Sequence, residues 1–448
     1  MESTKRLTLR VTRKTPELLC PEKSTPYEFK FLSDIDEQTF IRKYVKTINF
    51  YKKNPTMKGK DPVKIIREAI GKALVFYYPL AGRLRECAGR KLVVECTGQG
   101  VVFVEADADA TLQHFGNALY PPFPNSDELT LDVPRNREIF GDIPLMFIQV
   151  TRLKCGGFIF STCFNHTMCD GTGLSKFLSA VGELARGAAF PSIRPVWDRD
   201  LLNVSQPPCL SFAHREYDAG TGTSSGTHVP LDQMVERSFY FSSAEISALR
   251  RSLPPHLQRC SKFEIVAGCA WRCQTIALSL KPDEEVRFIG VMDNRKKIKP
   301  PLPVGYYGNV IALLVATTTA GELSKNPLHY AVELVRNTKH EASTDEYPGS
   351  MADLMVIKDP LSLTAGNTYI VSNLTHMGLE QMDVGWGTAG YGGVPKGSYW
   401  PTGNNQVSWY LGFMDGIVVP VCLPLESMKV FEKHLQVMMT AAPISSSL

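Results

Sequence analysis

The stretch "FIFSTCFNHTMCDGTGLSKFL" (158–178) joins an apolar, β-rich run to a helix-like repeat, with a histidine, an aspartate and two glycines between them. Phe158 to Phe164 reads as a strand, and the "KCGG" before it reads as the turn of a hairpin whose other arm is "PLMFIQVTRL". After "DGTG", the residues Leu174, Phe177, Leu178, Val181 and Leu184 fall on one helical face. His166 and Asp170 are thereby expected at a strand-to-loop-to-helix junction. Irregular backbone held between rigid elements is a favoured place for working residues.

Spacing alone does not single out this pair, because His214/Asp218 and His228/Asp232 have the same separation. Both of those lie between about 190 and 235, where periodicity fades into "PSIRPVWDRDLLNVSQPPCL" and "DAGTGTSSGTHVP". Such a Pro-, Gly-, Ser- and Thr-rich stretch reads as a long crossover, so His214 and His228 are expected as solvated loop residues.

An imidazole at the junction can take a proton from a substrate hydroxyl near neutral pH if it is held neutral, and the following helix N-terminus disfavours the imidazolium. Asp170 could orient the ring or anchor the loop through a salt bridge, while Gly171 and Gly173 would supply the freedom a sharp turn requires. The alternative is a hydrogen-bonded core histidine followed by a helix-capping aspartate. A metal site lacks a third ligand at a recognisable spacing. Cys163 and Cys169 open a covalent route in which a thiolate beside His166 carries the acyl group. Cys269 and Cys273 of "CAWRC" share a helix face and read as core.

Outward from the junction, "KDPVKIIREAIGKALVFYYPLAGRL" opens with Asp61 as N-cap and Pro62 at the first helical position, predicting a helix to about Tyr77. "KLVVECTGQGVVFVEADAD" reads as two β-rich runs around a Gly-containing turn. In the second half, Ser261 and Glu264 form a capping box for "FEIVAGCAWRCQTIAL", followed by the strand "EEVRFIGVMDNR". The whole predicts a mixed α/β (α+β) fold: an N-terminal domain over 1–190, a linker over 191–235 and a C-terminal domain over 236–448.

With 448 residues, 44% hydrophobic and 21% charged, the chain can build two domains of about 200 residues each and enclose a site. Its net charge is +4, and basic and acidic residues interleave except in "NRKKIK" (294–299). General nucleic-acid binding is thus disfavoured and one local anion pocket allowed. No leader-like or membrane-spanning segment is apparent, and eleven cysteines without a C-x-x-C pair suit reduced thiols, so a cytoplasmic protein is expected. The "NHT" at 165–167 is a formal glycosylation sequon, but a glycan on Asn165 would block His166. The C-terminal "SSL" is a poor match to a peroxisomal address.

"HTMCDG" together with "DVGWG" (383–387), "YYPLAGRL" and "GYYGN" resembles the plant BAHD acyltransferases, which move an acyl group from coenzyme A to an alcohol or amine. "TPYEFKFLSDID", "VTRLKCGGFIFS" and "KNPLHYAVELV" look most like the benzyl alcohol O-benzoyltransferases and volatile-ester alcohol acyltransferases. The resemblance implies two chloramphenicol-acetyltransferase-like domains with a solvent channel between them. His166 would be the general base, and Asp170 would pair with Arg295. Asp383, Gly385, Trp386 and Gly387 would support the fold, as would Gly171. Val384 stands where the family usually has Phe, and Asn373 and His376 depart from the family's commoner form, leaving Ser372 and Thr375 as oxyanion donors. Lys296, Lys297 and Lys299 are the candidates for the phosphates of coenzyme A.

These features imply an acyl-CoA:alcohol O-acyltransferase working by direct transfer, with benzoyl or acetyl as the acyl group. Acyl-CoA would be co-substrate, with no permanently bound cofactor, metal, membrane or nucleic-acid partner, and the chain would be a monomer. N-acylation of an amine and a catalytically silent ligand-binding relative are the alternatives.

Overall fold

The computed structural model describes residues 9–116, 119–133, 141–218, 233–341, 346–358, 366–399 and 406–440. Two large twisted sheets dominate. The first runs Val11–Arg13, Val101–Ala108, Met146–Leu153, Phe158–Asn165, Tyr44–Tyr51 and Tyr391–Gly393, with Glu17–Leu19 also pairing with Val101–Ala108. The second runs Met234–Phe241, Gly416–Pro424, Gln406–Phe413, Asn367–Asn373, Glu285–Asp293 and Ile311–Thr319. Tyr391–Gly393 belongs to the C-terminal half of the chain yet pairs antiparallel with Tyr44–Tyr51, stitching the halves together.

The hairpin expected around "KCGG" forms, with Met146 opposite Phe164 and Arg152 opposite Phe158. Its second strand is buried at every position from Phe158 to Asn165, which is why it reads as a β-rich run without the apolar/polar alternation of a half-exposed strand. Asn165 itself is fully buried, and its side-chain oxygen accepts bonds from the Thr167 amide and hydroxyl, leaving no room for a glycan. The two β-rich runs around "ECTGQG" form strands but do not pair with each other. Leu92–Glu95 belongs to a small sheet with Phe29–Phe31 and Arg83–Glu86, whereas Val101–Ala108 enters the first large sheet.

The capping signals are local, and the helices start where those signals lie. Asp61 accepts from the Val63 amide ahead of Pro62–Phe76, and Ser261 and Glu264 make a reciprocal capping box ahead of Lys262–Leu278. Pro62–Phe76 packs on Gly171–Ala185, whose Leu174, Phe177, Leu178, Val181 and Leu184 are all buried in the same core. Cys269 and Cys273 are buried in the second core. Among the described residues no group of His, Cys, Asp or Glu could hold a metal ion, and no helix is long and apolar enough to cross a membrane.

His214 differs from the expectation of a solvated loop residue. Its ring is buried, with Nδ1 2.9 Å from Glu216 Oε1 and Nε2 2.9 Å from Ser350 Oγ, and Tyr347 donates to the same Glu216 oxygen at 2.7 Å. Loop composition predicted exposure, but this cluster ties the crossover to the Glu346–Ile357 helix. His214→Ala would leave buried Glu216 and Ser350 short of a partner. It is expected to destabilise the protein by about 3 kcal/mol, read from the shift in denaturant midpoint. His228 lies outside the described residues.

Candidate active site

His166 sits immediately after the Phe158–Asn165 strand, and its backbone amide donates to the Lys43 carbonyl at 2.8 Å. The side chain is half-buried and lines a cavity of ≈ 120 Å³. Phe40, Phe164, Ile370, Val407 and Trp409 give that cavity apolar walls, and Lys43, Thr47 and Ser372 add polar atoms. Burial is the main influence pulling the His166 pKa below its ordinary value, and the Lys43 ammonium adds to it. Burial likewise brings Lys43 down to about 8. A base kept neutral in this way is ready to accept a proton at neutral pH.

The ring is held by Asn309 rather than by Asp170. His166 Nδ1 lies 3.1 Å from Asn309 Oδ1, which leaves Nε2 as the nitrogen available to a substrate. Asp170 is committed elsewhere. One carboxylate oxygen accepts from the Gly173 amide at 2.9 Å, capping the Gly171–Ala185 helix, and the other from the Val310 amide at 3.0 Å. Arg295 grips both oxygens, at 2.8 and 3.0 Å, and also reaches Asp293. Burial works to raise the Asp170 pKa, but the Arg295 guanidinium and the two backbone donors outweigh it and hold the carboxyl below its usual range. The ring-orienting option for Asp170 is therefore replaced by a buried, bidentate ion pair that joins the two halves of the chain.

Gly171 and Gly173 serve close approach, not turn geometry, since neither adopts a positive φ. A Cβ on Gly173 would lie 2.0 Å from the Tyr307 carbonyl oxygen, and one on Gly171 would lie 2.1 Å from Met377 Sδ. Cys163 and Cys169 are buried, and burial pushes the Cys163 thiol up to about 12 and raises Cys169 as well. Neither favours the thiolate a nucleophile needs. Cys169→Ala is expected to keep ester formation within about threefold of wild type, since a nucleophile would cost orders of magnitude. Trapping an acyl group on this thiol by rapid acid quench would contradict that.

A larger cleft of ≈ 990 Å³ abuts the cavity, the two sharing Asp170, Val291, Ile311, Ser372 and Met377 in their walls. Lys296 and Lys297 line it, whereas Lys299 is not among its walls. Sequence reasoning missed Lys262 and Lys339, which also face the cleft. The signal for Lys262 was the capping box itself, since Lys262 opens a helix whose N-terminus favours anions. Ser372 borders both spaces, while Thr375 lines only the cleft and donates its hydroxyl proton to Asn373 Oδ1 at 2.7 Å. His376, also on the cleft wall, is exposed.

The "DVGWG" loop lies away from the histidine. Asp383 Oδ1 accepts from the Gly385 and Gly387 amides at 2.7 and 2.9 Å, and its backbone oxygen accepts from Arg186. Trp386 packs edge-on to Phe158 with ring centroids 5.3 Å apart, and Val384 is fully buried in the same core. The volume around Val384 is thus closed without a ring.

A family model described as "Transferase family" matches residues 9–438. The chain is 51% identical over 447 residues to a benzyl alcohol O-benzoyltransferase of Nicotiana tabacum, covering 98% of this chain and 96% of that one. It is 52% identical over 438 residues to a protein of the same name from Petunia hybrida, covering 97% and 94%. Alcohol acyl transferase 1 allele GSa of Malus domestica is 45% identical, covering 96% and 94%. Among solved structures, vinorine synthase superposes with a TM-score of 0.72 at 19% identity, covering 96% of this chain and 98% of that one, a likeness of fold. Near-full-length agreement with the family model and with these relatives shows that the chain belongs to the BAHD transferase family of acyl-transferring enzymes.

Proposed function

We propose that the protein moves an acyl group from an acyl-CoA thioester directly to the hydroxyl of a small alcohol, with His166 as general base. The observation that carries this reading is the junction of the two spaces. An apolar cavity holding a neutral-biased histidine opens beside a cleft of ≈ 990 Å³ whose walls carry Lys262, Lys296, Lys297 and Lys339, cations suited to a phosphate-bearing donor. Its apolar and aromatic walls suit a benzyl-type or other small apolar alcohol. The names of the Nicotiana and Petunia relatives support benzoyl as the acyl group.

In this mechanism the alcohol O–H meets His166 Nε2, which takes its proton as the oxygen attacks the thioester carbonyl carbon. The oxyanion of the tetrahedral intermediate receives a hydrogen bond from Ser372, which borders both spaces. A well-placed donor of this kind contributes about 3 to 4 kcal/mol. Thr375 is the weaker candidate because its proton is committed to Asn373. Collapse breaks the C–S bond, and the thiolate of coenzyme A takes the proton back from His166. Lys262, Lys296, Lys297 and Lys339 would face the donor's phosphates. Asp170 and Arg295 hold the catalytic loop against the second half of the chain, the carboxylate being committed to Arg295 and to the Gly173 and Val310 amides. The same reading takes the chain as a cytoplasmic monomer of two acyltransferase domains, 1–190 and 236–448, joined by the 191–235 crossover.

The test is product formation by purified protein from benzoyl-CoA or acetyl-CoA against a panel of benzyl, hexenyl and terpene alcohols and two amines. Ester formed with one equivalent of free coenzyme A supports the reading. Amide from the amines alone would reassign the acceptor, and thermal stabilisation by coenzyme A without any product would favour a silent relative.

A further inference from the structure

His166, Asn309, Asp36 and Arg199 form one hydrogen-bonded chain drawn from four parts of the sequence, and neither Asp36 nor Arg199 lines the cavity or the cleft. Asp36 is wholly buried in a short turn near the N-terminus. Its Oδ1 accepts from the Asn309 amide at 2.9 Å and from Asn309 Nδ2 at 2.8 Å. Its Oδ2 accepts from the Ser33 amide and hydroxyl and, at 2.8 Å, from Arg199. Arg199 is buried too, donating its other terminal nitrogen to the Met168 carbonyl at 2.7 Å, inside the loop that carries His166. The rings of Trp197 and Tyr307 flank its guanidinium at 4.4 and 5.0 Å. Gly308 makes room for it, since a Cβ there would lie 1.9 Å from the guanidinium.

This chain dictates which way the Asn309 amide points. Its NH₂ end faces the Asp36 carboxylate and, at 2.9 Å, the His166 carbonyl, both of which only accept. Turning the amide over would set its oxygen against these two oxygens. Oδ1 is therefore committed to the imidazole, and because a carbonyl oxygen cannot donate, His166 Nδ1 must carry the proton. We infer that Asp36 and Arg199 are positioning residues that fix the tautomer of His166 through Asn309, leaving the lone pair on Nε2 toward the cavity. Arg199 is the buried cation that pairs with Asp36 Oδ2 at 2.8 Å, and deleting one partner of such a pair leaves the other charge uncompensated. The catalytic consequence rests on the general-base reading of His166, but the tautomer itself does not.

The experiment is ¹⁵N NMR of protein labelled at histidine, with the His166 signals assigned by their loss in His166→Gln, above the ordinary histidine pKa. In the wild type, Nε2 is expected to be pyridine-like and Nδ1 pyrrole-like; the reverse assignment overturns the inference. In Asp36→Asn the new side chain can present either its oxygen or its nitrogen to Asn309. Mixed tautomers are expected, with ester formation down roughly a hundredfold and the acyl-CoA KM changed by less than about threefold. A folded Asp36→Asn protein with unchanged ¹⁵N shifts and rate would overturn the roles of Asp36 and Arg199. If that variant does not fold, Arg199→Lys and Arg199→Met give the same reading. The lysine variant should keep the wild-type shifts and the methionine variant lose them, and identical shifts in both would overturn the inference. Full activity in His166→Ala would instead defeat the general-base reading while leaving the wild-type tautomer assignment standing.

Discussion

Replacing His166 with Ala is expected to lower ester formation by roughly 10²–10⁴-fold, the usual contribution of general acid–base catalysis. The fold should survive, because the contacts that shape the loop are largely made by backbone: the His166 amide to the Lys43 carbonyl, the Asn165 amide to the Leu145 carbonyl, and Asn309 Nδ2 to the His166 carbonyl. The variant loses one ring hydrogen bond, to Asn309, and opens space on the cavity side. Coenzyme A should bind nearly as before, since the lysines that face the cleft are untouched. Turnover near the wild-type rate in a protein of unchanged melting temperature would remove His166 from the chemistry.

Asp170→Ala is the second large effect, and it falls mainly on stability. The change strips Arg295 of its bidentate partner in a largely buried setting, removes the N-cap of the Gly171–Ala185 helix and orphans the Val310 amide. Breaking a buried ion pair by deleting one partner costs roughly 3–5 kcal/mol. The pH dependence has a definite sign. The folded-state pKa of Asp170 is depressed, so its contribution is fully present above the unfolded carboxylate range and is lost as pH falls through the lower folded value. Wild-type stability should decline on acidification through that window, and Asp170→Asn, which cannot titrate, should show a shallower decline in urea melts. Equal stability of Asp170→Ala and wild type at neutral pH, with activity lost, would instead make this carboxylate a direct participant.

Local signals carried well from sequence to structure. The Asp61–Pro62 and Ser261/Glu264 caps began helices where expected, because an N-cap satisfies its own neighbours' amides and needs no tertiary partner. The buried 158–165 strand was legible as an uninterrupted β-rich run. What local pattern could not reveal were partners made by distant chain. Asn309 reaches His166 across 143 residues and Asp36 across 273, and neither position carries a periodicity or spacing that marks it. The "GYYGN" motif held Asn309 and Gly308 in view without indicating that one orients an imidazole and the other clears space for Arg199. His214 was misread for the same reason, since a loop-like composition says nothing of the helix that later covers it. The pairing of Tyr391–Gly393 with Tyr44–Tyr51 was equally hidden, two of its three residues being glycines with little strand preference.

A neutral imidazole acting as the base should show itself in the pH dependence of kcat/KM for ester formation. That profile reports the ionisation of the free enzyme's base. The histidine here is pulled down first by burial and then by Lys43, so the acid limb is predicted to have its midpoint below about 6.5, the ordinary histidine value, with activity on a plateau above it. A rate that rises only at pH 8 or beyond, following an amine such as Lys43 or a buried thiol, would assign the base to a group other than His166.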